Sequence, residues 1–307
     1  MARVAEKLNA AAAKRLIDSI DNVLFDCDGV LWHGMDTIPG GPETVDKLKQ
    51  LGKRVFYVTN NSSRSREQNA EIVKSHGYLA VEDEIVCTAY VAAEYLHEQG
   101  FKGKVYVMGT SNLAAELEKF GIAHTGTEPD PPPECFKLKE LMQTELDPEI
   151  KCVLVGFDIN ISYMKLIKAS SYAKKKDCLF LATNDDPFLP LKGDIVIPGS
   201  GVMVNSVRMA SKRDPLILGK PEKPIFEVLH KAHNVDAART VIIGDVLETD
   251  IALGSNCGLK SVLVLSGAAT LDDVHAYEKS NNPSDNKFVP DFYTDSIADL
   301  LPVLNDS

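Results

Sequence analysis

Two aspartates separated by one residue, Asp26 and Asp28, follow directly on the apolar run Val23-Leu24-Phe25. On an extended chain residues i and i+2 share a face, so both carboxylates can converge just past a strand end. Gly29 then lets the chain turn away. In open α/β sheets ligands bind beyond the carboxyl ends of the strands, which puts this acidic pair where chemistry is expected. One carboxylate can serve as nucleophile and its neighbour as proton donor or acceptor, so the pattern predicts an enzyme. A calcium loop fits poorly, because the third oxygen ligand would fall at Val30, the glycine comes too early and no helix precedes. Taken alone, the pair could still be a strand-to-turn junction with surface aspartates.

Three further segments repeat the arrangement of an apolar strand followed at once by polar groups. Val55-Phe56-Tyr57-Val58 runs into Thr59-Asn60-Asn61-Ser62, which offers either an anion site at a helix N-terminus or an ordinary N-cap. Leu216-Ile217-Leu218 leads to Gly219-Lys220-Pro221. By itself Lys220 reads as a surface lysine, and it is not in a P-loop, since Pro221 follows it and the upstream glycine position holds Asp214. Val241-Ile242-Ile243-Gly244 ends in Asp245, and Thr249-Asp250 opens the next expected helix. Gly199-Ser200-Gly201 lacks the third glycine of a dinucleotide fingerprint and is discounted. Four strand ends therefore present Asp/Asp, Thr/Asn, Lys and Asp/Asp. Carboxylate oxygens with few competing nitrogen ligands suit Mg²⁺, which commonly binds through one or two carboxylates plus a substrate phosphate. A divalent ion and Lys220 together offset most of the aspartate charge and let a phosphate dianion approach.

The elements that must position these groups alternate between two periodicities. Strands are expected at 23–25, 54–58, 104–108, 152–156, 178–182, 216–218, 240–243 and 261–265. Helices are expected at 43–51, 64–75, 89–99, 112–120, 163–174, 202–210, 225–233 and 249–256. Strand-helix alternation predicts an α/β protein with a Rossmann-like parallel sheet, and eight strands exceed what one compact sheet usually needs. The Pro-rich acidic stretch Thr127–Glu134 reads as a surface loop, and no repeat or low-complexity segment occurs.

The net charge of −11 argues against nucleic acid or an anionic membrane as partner. No apolar run reaches the length of a membrane helix. Residues 1–21 read as a short Ala-rich helix without signal-peptide features. Six scattered cysteines, several inside apolar runs, suggest buried reduced thiols, and together these features predict a cytoplasmic protein. Cys27, wedged between the two aspartates, reads as a small filler at the strand end.

In this order, Asp-x-Asp-Gly-Val-Leu-Trp, Thr-Asn-Asn-Ser, Gly-Lys-Pro and Gly-Asp-x-x-x-Thr-Asp resemble the four motifs of the haloacid dehalogenase superfamily. The resemblance extends through Val155-Gly156-Phe157-Asp158, Ser162–Leu166, Ala182-Thr183-Asn184 and Val289–Leu300. It is similar over nearly the whole chain to the branch containing phosphoglycolate phosphatase (4-nitrophenylphosphatase) and pyridoxal phosphate phosphatase. The resemblance implies Asp26 as nucleophile forming an aspartyl-phosphate, with Asp28 protonating the leaving alcohol and then activating water. It implies Mg²⁺ held by the Asp26 carboxylate, the Asp28 carbonyl and Asp245, with Asp250 nearby. Thr59, Asn60 and Asn61 would hold phosphate oxygens, and Lys220 would neutralise nucleophile and phosphoryl group.

The resemblance also implies an inserted α/β cap, expected at 101–213, with catalytic core at 1–100 and 214–307. The loop Thr183–Leu191 is the expected specificity loop. Leu189 stands where pyridoxal phosphate phosphatases are expected to carry His. An apolar residue there favours a small acyclic metabolite, 2-phosphoglycolate or glycerol 3-phosphate, over pyridoxal phosphate or a phosphoprotein. Val246 departs from the polar residue expected after Gly244-Asp245 and removes any ion pair made there. A homodimer through the cap is a further implication. A non-catalytic phosphate binder on the same fold is disfavoured by the intact Asp26, Asp28, Lys220 and Asp245.

Overall fold

In the computed structural model residues 3–132, 137–189 and 194–305 are described. In chain order the first strands are β1 (Glu6–Lys7), β2 (Asn22–Phe25), β3 (Trp32–His33), β4 (Asp36–Thr37), β5 (Arg54–Thr59) and β6 (Ile85–Cys87). There follow β7 (Lys104–Met108), β8 (His124–Thr125), β9 (Ile150–Val155), β10 (Leu179–Ala182) and β11 (Leu216–Ile217). The last are β12 (Thr240–Gly244), β13 (Lys260–Val264) and β14 (Phe292–Thr294). Two compact units divide the chain. The first takes 3–59, 67–86 and 220–305, and the second takes Asn60–Arg66 and Cys87–Gly219.

The first unit is built on a seven-stranded sheet in the order β1-β14-β13-β12-β2-β5-β6. The pairs β1/β14, β14/β13, β13/β12, β12/β2 and β2/β5 are parallel. Its central strands β2 and β12 are buried at every residue. This is why they read as continuous apolar runs: crossover helices cover both faces of a parallel sheet, and no polar alternation survives. Helix Gly41–Gln50 buries Thr44, Val45 and Leu48, the 3–4 spacing of one apolar stripe. The register sets Ile243 beside Phe25, and the Asp26 N–H donates to the Ile243 carbonyl at 2.9 Å. Asp26 and Asp245 thus leave neighbouring strands at the same end of the sheet.

The second unit holds a five-stranded sheet, β11-β10-β9-β7-β8, parallel throughout. Helices Tyr163–Ala173 and Ser200–Ser211 contribute Ala169, Tyr172, Met203 and Val207 to its core, against Val153, Val155 and Phe180 of the strands.

The structure departs from the sequence expectations in several places. The strand before Lys220 pairs with β10 and belongs to the second sheet, so Lys220 does not follow a strand of the sheet that carries Asp26. The division falls at 86/87 and 219/220, with 60–66 added to the second unit, against the expected boundaries of 101 and 213. A two-residue edge strand carries too little local signal to declare its sheet, because pairing partners decide it. The N-terminal helix is shorter, Ala10–Ser19, and follows the edge strand β1. The helix after Asp245 opens with a π turn, Leu247–Ile251, before regular helix at Ala252–Cys257. Residues 127–132 of the Pro-rich stretch have no regular structure; its end and Cys135 lie outside the described residues. Cys27, Cys87, Cys152 and Cys178 are buried, Cys257 is partly buried, and all five are free thiols.

One ion pair in the second unit is wholly enclosed. Lys165 Nζ lies 2.8 Å from Asp158 Oδ2, with side chains 0% and 1% exposed. Asp158 Oδ1 also accepts the Asn160 N–H, and Lys165 donates to the Thr127 carbonyl. Removing one partner strands a buried charge, which costs about 3–5 kcal/mol, whereas an apolar replacement of both is far milder. Lys165→Met is expected to lower stability by that amount in urea unfolding followed by circular dichroism. The double variant Lys165→Met/Asp158→Leu should recover most of it; additive losses would contradict this.

Candidate active site

Asp26, Asp245 and Asp250 each offer a carboxylate oxygen, and these oxygens lie within 4.8 Å of one another. Lys220 enters the group as its cation. Its Nζ is 2.6 Å from Asp26 Oδ1 and 2.7 Å from Asp250 Oδ1, and it donates to the Val58 carbonyl at 3.2 Å. Lys220, Asp245 and Asp250 are all but fully buried, while the Asp26 side chain retains 14% exposure. Asp26 is therefore the carboxylate of the three most open to an incoming molecule.

Backbone groups hold one oxygen each of Asp245 and Asp250. Asp245 Oδ2 accepts from the Ala268 N–H at 2.8 Å, and Asp250 Oδ2 accepts from the Val246 N–H at 3.1 Å. The π turn is what brings Asp250 to Lys220, because its wider winding shifts the side chain around the helix axis relative to a regular first turn. Val246 contributes a backbone N–H here, a role open to any residue but proline. Asp245 Oδ1 is buried and has no hydrogen-bond partner among the described residues. A buried carboxylate oxygen without a donor is expensive, and a cation is the natural ligand for it. Three hard oxygen donors with one such orphan fit a divalent metal ion.

Glycine is obligatory around this cluster for two reasons. Gly29 has φ +83°, and a Cβ there would meet Asp245 Oδ2 at 2.2 Å. Cβ atoms at Gly244 and Gly267 would strike Asp250 and Asp245 equally closely, at 2.2 and 2.0 Å.

The electrostatics follow from crowding. Burial, then the charges of Asp26 and Asp250, push the Asp245 carboxyl up to about 8. Burial pushes Asp250 up to about 6 against the pull of Lys220. Burial alone would lower the Lys220 pKa, but Asp250 and Asp26 outweigh it and hold the ammonium above its usual range. Burial likewise raises the Cys27 thiol well above its usual value, with Asp26 and Asp28 adding to it. That thiol stays protonated and fills the strand end.

The other sequence candidates divide. The Asp28 carboxylate is not part of the three-carboxylate cluster; its Oδ1 accepts from the Trp32 indole N–H at 3.0 Å. Thr59 closes β5 in the first unit and is buried. Asn60, Asn61 and Leu189 belong to the second unit. Asn61 Oδ1 accepts both the N–H and the hydroxyl of Ser63, a turn ahead of the helix that begins at Arg66. The Asn60 carbonyl accepts from Thr88 Oγ1 and Asn184 Nδ2, and its side-chain amide donates to Asp186. Leu189 is 37% exposed, and its N–H donates to the Ile197 carbonyl. Asn184 and Asp186 lie in the expected specificity loop, but nothing local shows that the Asn184 amide reaches Asn60, 124 residues away.

These observations agree with comparisons to known proteins. A family model described as haloacid dehalogenase-like hydrolase matches residues 23–123, and an HAD-hydrolase-like model matches 217–300. The chain belongs to the haloacid dehalogenase-like hydrolases. It is 42% identical to human glycerol-3-phosphate phosphatase over 97% of this chain and 95% of that protein. Human chronophin is 36% identical, over 98% and 99% respectively. Among solved structures, the p-nitrophenyl phosphatase of Archaeoglobus fulgidus superposes with a TM-score of 0.77 at 28% identity, covering 92% of this chain and 99% of that one. A glycerol phosphate phosphatase of Mycobacterium tuberculosis in complex with magnesium gives 0.75 at 26% identity, covering 93% and 77%.

The raised carboxylates carry a linkage consequence. Without metal, native Asp245 and Asp250 bind protons up to about pH 8 and 6, against an ordinary aspartate value of 3.8. The native state therefore holds more protons than the unfolded chain in this window, and their contribution to stability falls as pH rises through it. A divalent ion takes the place of those protons. In EDTA-treated protein, Mg²⁺ is expected to raise Tm more at pH 8 than at pH 5.5, where it must displace protons. Equal gains at both pH values would contradict the assignment.

Proposed function

We propose that this chain is a Mg²⁺-dependent phosphatase of small phosphorylated metabolites, working through an aspartyl-phosphate at Asp26. It is a phosphoric monoester hydrolase, a reading supported by its family and by relatives named for phosphatase activity. The observation that carries the mechanism is the Asp26–Lys220–Asp250 bridge, in which the most exposed of the three clustered carboxylates is also held by a buried ammonium.

Phosphoryl transfer asks mainly for positioning and charge neutralisation. Asp26 supplies the attacking oxygen, and Lys220 holds it in one orientation. Splitting hydrolysis into capture and release gives two easier steps in place of one difficult step. Asp28 donates a proton to the departing alcohol and takes one from water in the second step. Thr59, and Asn60 and Asn61 next to it in sequence, are the proposed partners of the phosphate oxygens. Asp26, Asp245 and the Asp28 carbonyl would hold Mg²⁺, with Asp250 securing Lys220; when bound, the ion supplies positive charge against the repulsion between carboxylate and phosphate. The magnesium complex of a structural neighbour supports that choice of metal.

For the substrate we favour 2-phosphoglycolate or glycerol 3-phosphate. The higher identity to glycerol-3-phosphate phosphatase than to chronophin supports this, as does the apolar Leu189. The experiment is phosphate release from both esters, pyridoxal phosphate and 4-nitrophenyl phosphate, with Mg²⁺ or EDTA. Metal-dependent turnover with an acyclic ester leading is expected; pyridoxal phosphate in front would overturn the substrate, and turnover in EDTA the metal. Asp26→Asn should lower kcat by at least ~10³-fold through loss of the nucleophile. Lys220→Ala should lower it ~10²–10³-fold, and wild-type rates in either variant would remove that residue from the mechanism.

A further inference from the structure

We infer that Trp32, the only tryptophan of the chain, is a positioning residue for proton transfer by Asp28, fixing which oxygen of that carboxyl carries the proton. The inference rests on the proposed role of Asp28 as proton donor and names a residue on which that role depends.

The geometry is directional. Trp32 Nε1 lies 3.0 Å from Asp28 Oδ1. An indole N–H can only donate, so Oδ1 must accept and cannot itself present an O–H to that nitrogen. When Asp28 is protonated, the proton is therefore favoured on Oδ2, which leaves Oδ1 as the carbonyl oxygen, the better acceptor for the indole N–H. An exposed carboxylate on a turn has neither a fixed rotamer nor a preferred oxygen; here one bond settles both.

The indole is itself immobilised. Trp32 is buried, in the two-stranded ribbon β3/β4, with Trp32 paired to Thr37. The backbone closes on it as well, since the Gly29 N–H donates to the Trp32 carbonyl at 2.8 Å. The His76 ring stacks on the indole with centroids 4.5 Å apart and planes 10° apart. Thr37 Oγ1 lies 3.0 Å from His76 Nδ1 and also donates to the His76 carbonyl, tying the stacked ring to the same ribbon. Tyr78 meets the indole edge-on at 6.4 Å, and its hydroxyl donates to the Leu31 carbonyl. Every one of these groups lies in the first unit.

In the step concerned, an Asp26 oxygen forms a bond to phosphorus while the bond from phosphorus to the alcohol oxygen breaks. The leaving oxygen keeps the electron pair and takes the proton from Asp28 Oδ2, which leaves Asp28 as carboxylate. Glycerol needs that proton because its alkoxide is a poor leaving group. 4-Nitrophenolate departs without it.

The test is kcat/KM of Trp32→Phe on glycerol 3-phosphate and 4-nitrophenyl phosphate, with Mg²⁺ present. Phenylalanine keeps an aromatic ring for His76 and removes the N–H. We expect a loss on glycerol 3-phosphate at least tenfold greater than the loss on 4-nitrophenyl phosphate. His76→Ala, which leaves the N–H but frees the ring, should show the same selectivity to a smaller degree and serves if Trp32→Phe fails to fold. In an Asp28→Asn background the Trp32 substitution should add no further selectivity, because no proton remains to be placed. Equal losses on the two esters, or a selectivity that persists in the Asp28→Asn background, would overturn the inference. If the wild-type protein hydrolyses neither ester, the underlying phosphatase reading fails instead.

Discussion

Three carboxylates cannot share a buried volume unless something positive holds them there. At 4.8 Å and an effective dielectric constant near 20, each pair of full charges repels by roughly 3–4 kcal/mol. Lys220 is the protein's own answer: one ammonium, itself buried, bridging Asp26 and Asp250. Burial, and after it the charges of Asp26 and Asp250, still push the Asp245 carboxyl up despite that lysine. On the proposed mechanism a cation makes up the remaining deficit of positive charge and allows an anionic ester to approach Asp26, so that affinity for metal and for phosphate would derive from one charge imbalance.

The backbone is shaped around that cluster. Gly29, Gly244 and Gly267 each sit where a Cβ would enter an aspartate. Asp250 lies in the π turn at Leu247–Ile251, where the Asp250 and Ile251 amides both donate to the Val246 carbonyl. These features lower local helix and strand regularity at the end of an otherwise uniform parallel sheet. A sheet buried on both faces is stiff enough to tolerate such irregularity at its edge of strands.

The second unit shows the same economy of polar groups. Its enclosed Asp158–Lys165 pair is satisfied on both sides by backbone groups. Its segment 60–66 is tied to the loop after β10 through Asn60, Asn184 and Asp186. Gly219, next to Lys220 in the chain, has room for no side chain beside Asn60 and Thr183. The two residues that adjoin Thr59 and Lys220 in sequence are therefore held together within one unit.

The sequence by itself determined the class of fold, the four polar strand ends and the identity of Asp26, Lys220, Asp245 and Asp250 as a set. Strand burial and strand-end chemistry leave signals within a few residues, and the resemblance of four motifs in order to one superfamily is what joined those residues into a set. It did not determine the sheet to which Leu216–Ile217 belongs, the π turn, or the limits of the two compact units at 86/87 and 219/220. Nor did it show that Asn61 spends its side chain on a turn, or that Trp32 is bound to Asp28. The sheet assignment and the immobilisation of Trp32 depend on partners far along the chain, β10 for Leu216–Ile217 and His76 for Trp32. Local periodicity records whether a residue is buried, but only tertiary structure decides what it is buried against.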